Sequence, residues 1–381
     1  AMQHQKAAMA ALRLAAGDES NAPTANQNLF DVRYYDIDLN LQTATSLLTG
    51  IVKVRADVLS GPLSQMQLDL YSNMTVDGVT AGGVGTTFSR AGNVLTINLD
   101  RAYNIGETIE TVVNYHGTPA STPYGAAFQF TSTNGQPLIW TLSESHGARS
   151  WWPCKDYPLD KADSVSVKVT VPTGMKTASN GVRVVNTDNG TNAVTVWKER
   201  HPIATYLVSV TSHPFVFSQD WYKYAPTDSM PIWFFMPSNL VASHNVVAPK
   251  VKLMLASHSG HMGPYPFLDE KYGHAYFPFG GGMEHQTCTS LGSFNESVVV
   301  HELGHQWFGD NVTCYDFHHI WINEGMATYT EALWQETLGG YAAYKADILS
   351  NRYLGAGTIY VPNEDDDNRV FDSNLSYNKG G

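Results

Sequence analysis

The segment 301-HELGH-305 constrains this chain more than any other stretch of its sequence. Histidines four residues apart lie on one face of a helix, about one turn from each other, which is the spacing that a tetrahedral zinc ion needs from two neighbouring ligands. The segment therefore predicts a helix that presents His301 and His305 to a metal ion. Two ligands do not complete a site, and a surface helix with two solvated histidines is the alternative.

A third ligand is offered by Glu324, in 323-NEG-325, which lies on the next predicted helix with eighteen residues between it and His305. Two histidines and one glutamate, with one position left for water, form the ligand set of a catalytic rather than a structural zinc site. Glu302, between the two histidines, could then take the proton of the attacking water as a general base. The spacing thus predicts a zinc hydrolase that cleaves amides.

Other polar residues near this segment receive weaker interpretations. Asp310 and Asn323 are candidates for groups that orient the metal ligands through hydrogen bonds. His318 and His319 are adjacent in sequence and point in different directions on a helix, so we interpret them as surface groups or as further orienting groups.

The glycine-rich stretch 280-GGGMEH-285 precedes the metal segment and carries a lone carboxylate, Glu284. Glycines permit the close approach of a substrate strand, and a buried carboxylate beside it would favour a cationic partner such as the free amino terminus of a peptide. The alternative is a turn in which Glu284 caps the following segment.

The remaining pattern predicts an α+β chain of two domains. Alternating apolar residues predict strands at 34–42, 51–58, 94–100, 109–115 and 164–172. Helical patterns follow at 245–262, 297–309 and 323–338, with a few strands between Tyr272 and Gly292. We therefore predict a β-rich domain over 28–217 and a mainly helical zinc domain over 218–381.

The two ends of the chain carry separate expectations. Residues 1–27 are predicted to form an N-terminal extension, with a short amphipathic helix over 6–16. At its other end the sequence stops without a closing element, which predicts truncation inside the catalytic domain.

Composition excludes some classes of function and leaves others open. The net charge is −12 and Lys and Arg are nowhere clustered, so nucleic acid is not expected as a partner. No apolar run approaches the ~18 residues of a transmembrane helix, so a soluble protein is expected. The three cysteines define no disulfide framework, and compartment and oligomeric state stay open. Removal of a signal peptide would place the protein in the periplasm or outside the cell.

Several motifs together resemble the zinc aminopeptidases of the aminopeptidase N family, the gluzincins that also include leukotriene hydrolases. The matching stretches are 140-WTLSESHGARSWWPCKD-156, 281-GGME-284, 301-HELGHQWFGD-310, 323-NEG-325 and 377-YNKG-380. The resemblance implies a β-sandwich-like N-terminal domain followed by a thermolysin-like catalytic domain, and a peptide with a free amino terminus as the substrate.

The resemblance also implies a role for each matching residue. Zinc would be held by His301, His305 and Glu324, with Glu302 as the base. Substrate binding would fall to Gly281, Gly282, Met283, Glu284 and Glu144, the two glutamates binding the amino terminus. Tyr377 would donate a hydrogen bond to the developing oxyanion; without the resemblance, it would be one packing tyrosine among twenty.

Two departures from the family pattern accompany these matches. His285 stands where the family usually has Asn, and the chain ends four residues after Tyr377, whereas the family's catalytic domain continues. The leading interpretation is a zinc aminopeptidase. The alternatives are a zinc endopeptidase and an inactive zinc-binding fragment or scaffold.

Overall fold

The computed structural model describes residues 22–119 and 127–381, so the helix predicted over 6–16 lies outside the described residues. The described chain divides into two compact units. The N-terminal unit ends at Pro214, and the C-terminal unit runs from Phe215 to Gly381. The domain limits expected from the sequence, 28–217 and 218–381, remain a prediction.

The N-terminal unit is built almost wholly from strands. Its strands are β1 (Phe30–Gln42), β2 (Leu47–Val58), β3 (Leu63–Asp69), β4 (Thr75–Ala81), β5 (Val84–Thr86), β6 (Phe88–Ala91), β7 (Val94–Tyr103), β8 (Thr108–Gly117), β9 (Phe128–Thr133), β10 (Gln136–Thr141), β11 (Ser164–Pro172), β12 (Lys176–Ser179), β13 (Val182–Asp188), β14 (Asn192–Glu199) and β15 (Val210–His213). Among the described residues they form an eight-stranded sheet (β13-β14-β11-β1-β2-β8-β4-β5), a four-stranded sheet (β12-β15-β10-β9) and a three-stranded sheet (β3-β7-β6).

Alternation of apolar and polar side chains explains this sheet-rich unit. Along β1, Tyr35, Ile37 and Leu39 are buried, whereas the residues between them are partly exposed, as expected of a strand with one face on a core. β1 pairs antiparallel with β2 and parallel with β11. The three-stranded sheet packs against the eight-stranded one, where the Thr111 hydroxyl lies 3.6 Å from Met66 Sδ.

The C-terminal unit combines one sheet with helices. Its strands are β16 (Val216–Lys223), β17 (Ser229–Met236), β18 (Tyr272–Tyr276), β19 (Gly282–Met283) and β20 (Thr289–Leu291), in the order β16-β17-β18-β20-β19. Its α-helices are α1 (Val241–His244), α2 (Val251–Met262), α3 (Glu296–Gly304), α4 (Trp321–Asn351) and α5 (Asp367–Val370), and a π-helical turn covers Ser373–Asn378. Helix α4 is interrupted at Gly340, whose φ is 67°.

The α+β organisation agrees with the sequence prediction, and the differences are local. All five predicted strands of the N-terminal unit are present, as are strands between Tyr272 and Gly292. The hairpin β16–β17 was not predicted. Its strands look like a continuation of the preceding β pattern, and only tertiary pairing of β17 with β18 assigns them to the C-terminal unit. Among the described residues, no helix combines the length and the apolar character that a membrane span requires.

Helices α3 and α4 position the candidate site, because they pack against each other. Helix α3 starts with an acidic residue, Glu296, which suits the positive end of the helix dipole. The buried face of α4 carries Asn323, Ala327, Thr330 and Trp334, at the three- and four-residue spacing of a helix with one face on a core. Trp334 Nε1 donates to Glu296 Oε1 at 2.8 Å, which ties the two helices together.

Candidate active site

Three side-chain atoms converge between α3 and α4. The Nε2 atoms of His301 and His305 are 3.1 Å apart, and Glu324 Oε2 lies 3.3 Å from the first and 3.4 Å from the second. Zinc bound to tetrahedral ligands at roughly 2.0–2.1 Å would separate neighbouring ligand atoms by about 3.3 Å. The three donors therefore fit a zinc ion. They form a triangle, and a further ligand could bind the ion from one face of it.

Both histidines are oriented by hydrogen bonds at their other ring nitrogen. His301 Nδ1 lies 2.9 Å from Glu331 Oε1, and His305 Nδ1 lies 3.1 Å from the carbonyl oxygen of Phe308. A proton on each Nδ1 leaves each Nε2 with its lone pair toward the shared centre, which is the tautomer that a metal ligand requires. Glu331 was missed by the sequence analysis, although its position seven residues after Glu324 places it on the same face of α4.

The electrostatics of this cluster favour a cation. Burial lowers the pKa of His301, but hydrogen bonds to Glu324 and Glu331 outweigh burial and raise the pKa to about 10. For His305, burial likewise lowers the pKa, while the charges of Glu284 and Glu324 raise it above its ordinary value. The carboxylates thus create a strongly negative centre, which a divalent cation would neutralise.

Glu302 is fully buried and lies close to the ligand cluster. Atoms of Glu284, Glu302 and His305 that could bind a metal lie within 4.8 Å of one another. A glycine at 282 is required for this arrangement, because a Cβ at that position would lie 2.4 Å from Glu302 Cγ. The glycine run was expected to permit the approach of a substrate strand, and Gly282 in addition makes room for Glu302.

Glu284 follows the last residue of β19 and is fully buried, as is His285. Its Oε1 atom lies 3.9 Å from His305 Nδ1. Strand β19, formed by Gly282–Met283, is the edge strand of the five-stranded sheet. A short edge strand and a buried carboxylate therefore lie beside the ligand cluster.

Tyr377 lies in the π-helical turn and stacks on His301, with ring centroids 6.0 Å apart and planes at 15°. The turn approaches α4 closely at Gly325, where a Cβ would lie 2.5 Å from the carbonyl carbon of Gly380. A cavity of about 300 Å³ opens beside His301. Its lining is mostly polar and comprises Ser297, Val298, His301, Thr328, Glu331, Asn351, Tyr377 and Asn378.

Other candidates from the sequence are Glu144, Asn323, His318 and His319. Glu144 is a buried residue of the N-terminal unit, and its role remains a prediction. Asn323 Oδ1 accepts from the Cys314 N–H at 3.0 Å, so it fixes the segment that joins α3 to α4. His318 Nδ1 bonds the carbonyl oxygen of Val361, and His319 Nδ1 lies 2.7 Å from Asp316 Oδ1. Both of these histidines are partly exposed.

A buried triangle of three potential metal ligands, with one face left for a further ligand and a glutamate beside it, is the arrangement typical of zinc-dependent hydrolases. Comparison with known proteins gives the family. Residues 32–207 match the Peptidase M1 N-terminal domain, and residues 283–381 match the Peptidase family M1 domain. The chain belongs to peptidase family M1.

Solved structures and curated relatives agree with this assignment. The M1 zinc metallopeptidase of Deinococcus radiodurans superposes with a TM-score of 0.83 at 29% identity, covering 95% of this chain and 84% of its own. Leucine aminopeptidase 2 of Vanderwaltozyma polyspora is 24% identical over 81% of this chain and 47% of its own length. Aminopeptidase N of Lactococcus lactis subsp. cremoris is 26% identical over 91% of this chain and 43% of its own length.

Two conclusions follow from these comparisons. The expected fold class, a mainly β N-terminal domain followed by a mainly helical catalytic domain, is confirmed, and so is zinc as the cofactor. The chain spans about half the length of the first curated relatives it matches.

Proposed function

We propose that this chain is a zinc aminopeptidase that releases the first residue of peptides. The observation that carries the proposal is Glu284, a buried carboxylate 3.9 Å from His305. It is buried beside the cluster and is therefore not a surface charge. It is also not one of the three converging ligands. A cationic amino terminus is the partner that such a carboxylate would bind most strongly in a peptide substrate.

Zinc held by His301, His305 and Glu324 would supply Lewis acidity toward the scissile carbonyl and the attacking water. Glu302 would accept the proton of that water and pass it to the departing amine, which a buried carboxylate next to the ligands can do over a short distance. Glu331, through His301 Nδ1, would hold one ligand ring in place.

The substrate's first residue would lie between β19 and the ligand cluster. Gly281, Gly282 and Met283 would bind its backbone, because an edge strand with small residues can pair with an extended peptide. Glu284 would bind the α-ammonium group, and Glu144 is proposed as the second carboxylate for it. His285, in place of the family's usual Asn, keeps its Nδ1 2.8 Å from Ser290 Oγ, so it braces this hairpin internally.

The part of the peptide that follows the scissile bond would extend along the opposite side of the cluster. Glu284 lies beside His305, whereas the cavity of about 300 Å³ opens at His301 and Tyr377. Tyr377 would donate a hydrogen bond to the negative charge that develops on the carbonyl oxygen, where a fixed donor has most effect on rate. The cavity would receive the residue after the scissile bond.

The names of relatives, and a substrate that one of them binds, support this proposal. The curated relatives include leucine aminopeptidase 2 and aminopeptidase N. A mutant of the Deinococcus radiodurans metallopeptidase was solved with a Tyr-Ser-Ala substrate. A peptide with a free amino terminus is the corresponding substrate that we propose for this chain.

The test is a steady-state assay of the zinc-loaded chain on aminoacyl arylamides, each with a free and with an acetylated amine. We expect hydrolysis of the free-amine compounds alone. Glu284→Ala should raise KM for them by about 10- to 100-fold, the cost of losing a bond to a charged group, while the zinc content stays at one per chain. Equal hydrolysis of both forms would favour an endopeptidase, and no hydrolysis with zinc bound would favour a binding role.

A further inference from the structure

We propose that Gln306 is a positioning residue, which holds the amine-binding Glu284 at a fixed distance from the metal ligands. The inference rests on the aminopeptidase function proposed above. Gln306 follows His305 directly in the chain and is fully buried. Its amide contacts the loop 284–288, which joins β19 to β20 and carries Glu284.

This loop cannot hold its own shape through strand pairing. The last pair of the hairpin is Met283 with Ser290, and all five loop residues beyond it are buried, so their backbone polar groups need partners outside the ladder. Within the loop, the Cys288 N–H donates to the His285 carbonyl oxygen at 3.0 Å, and Lys271 Nζ donates to Thr287 Oγ1 at 3.1 Å. Thr287 has a φ of 62°. A β-branched residue in the left-handed region is strained and persists only where its surroundings fix it.

The Gln306 side chain supplies this support. Its Oε1 atom accepts from the Thr287 N–H at 2.8 Å and from the Tyr265 hydroxyl at 3.1 Å. Its Nε2 atom donates toward the carbonyl oxygen of Glu284 at 3.5 Å. One amide therefore contacts the strained loop at Glu284 and at Thr287, and the Tyr265 hydroxyl holds that amide in place.

The backbone of Gln306 belongs to the turn that follows α3. Its N–H donates to the Leu303 carbonyl at 3.1 Å, and its carbonyl accepts from Asn311 N at 3.3 Å. The amide thus links a rigid extension of the metal-binding helix to the loop of Glu284. The amine of a substrate and its scissile carbonyl belong to the same residue, so this link determines whether both groups can be bound at once. A displacement of about 1 Å can cost 10²-fold in rate.

A packing role alone would predict a different result from a positioning role. If Gln306 only fills space, its replacement lowers stability and weakens all ligands of the site alike. If it positions Glu284, replacement weakens only those ligands that carry a free amine. The two cases separate with a pair of zinc-chelating inhibitors, leucine hydroxamate and its analogue without the amine, 4-methylpentanohydroxamate.

The experiment measures both inhibition constants, the zinc content and KM for a free-amine arylamide. Gln306→Asn keeps an amide but is one methylene too short to reach Thr287. We expect it to reduce the preference for the amine-bearing hydroxamate by at least about tenfold and to raise KM. Zinc content and affinity for the amine-free compound should stay at wild-type values. If this variant does not fold, Gln306→Met, which has similar volume, takes its place.

Two further variants serve as matched controls. Gln306→Glu has the original length and keeps an acceptor for the Thr287 N–H, but it lacks the donor to the Glu284 carbonyl oxygen, so it should recover part of the preference that Gln306→Asn loses. Gln335→Asn makes the same change at a partly exposed position of α4 and should behave as wild type.

The outcomes separate this inference from the proposed function. A wild-type chain that binds both hydroxamates equally would overturn the proposed amine site and, with it, the positioning role. A wild-type preference that survives intact in Gln306→Asn, or a loss of affinity that is equal for both hydroxamates, would overturn the role of Gln306 alone.

Discussion

The two units bury charged residues in different ways. In the N-terminal unit, the buried cations Arg149 and Lys155 each lie beside carboxylates. In the C-terminal unit, Glu284, Glu302 and Glu324 are buried around a pair of histidines. Matched charges fit a structural network, whereas an excess of one sign in a buried cluster fits a site that binds a cation.

The network of the N-terminal unit is centred on Arg149. Its Nε atom donates to Asp156 Oδ2 at 3.1 Å, and Asp156 N donates to Asp69 Oδ2 at 3.0 Å. Lys155 forms a second buried pair with Asp160. Burial lowers the pKa of Arg149, but Asp69 and Asp156 outweigh burial and raise it. Each charge of this network thus has an opposite charge beside it.

The largest effect is expected where the excess negative charge binds its metal. His305→Ala removes one of the three converging donors, so we expect loss of stoichiometric zinc and of all hydrolysis. Zinc measured by atomic absorption after dialysis would check this result. A variant that kept one zinc per chain would contradict the ligand assignment.

Glu302→Gln tests the carboxylate that lies beside the ligands without being one of the three. Zinc content should be unchanged, because the three donors remain. Catalysis should fall by about 10²- to 10⁴-fold, the range for loss of a general base. The comparison of kcat with zinc content provides the measurement, and full activity in this variant would remove Glu302 from the proposed role.

Arg149→Met tests the matched network in the N-terminal unit. It leaves buried carboxylates without their cation, and we expect the free energy of unfolding to fall by about 3–5 kcal/mol. Urea denaturation would measure the loss. Arg101→Met, the same change at the exposed ion pair with Glu107, is the control and should change the midpoint little. Similar midpoints for the two variants would contradict the structural role of the buried network.

Acid should lower the stability of the C-terminal unit gradually, and by a smaller amount, because of its buried histidines. Burial lowers the pKa of His258 to about 4, although the hydrogen bond to the Val300 carbonyl opposes it, whereas an unfolded histidine titrates near 6.5. Between these values the unfolded chain binds the proton and the folded chain does not. Stability should therefore fall as the pH drops from about 6.5 to 4, by up to about 1.4 kcal/mol per pH unit.

His258→Phe should reduce this slope, because an aromatic ring still fills the buried position but the titrating group is removed. Urea denaturation at several pH values would measure the effect, with wild type as reference. Asp156 contributes the opposite sign, since burial raises its pKa despite Arg149, so the folded chain binds that proton first. An unchanged slope in His258→Phe would mean that other groups dominate the acid response.

The local sequence determined several strands and helices of this protein and the direction in which their side chains point. Alternation along 34–42 and 164–172 predicted strands that are present in the N-terminal unit. The four-residue spacing of His301 and His305 placed both on one helix face, and their Nε2 atoms are 3.1 Å apart. These features follow from backbone periodicity alone, because strand and helix fix the direction of each side chain relative to its neighbours.

Tertiary structure alone decided which distant residues complete the site. The contact of Glu331 with His301, the space that Gly282 leaves for Glu302 and the bond from Thr287 to Gln306 join residues nineteen to thirty positions apart. Likewise, only the pairing of β17 with β18 assigns the hairpin β16–β17 to the C-terminal unit. Such contacts depend on how elements pack, and periodicity carries no information about which faces of separate elements will meet.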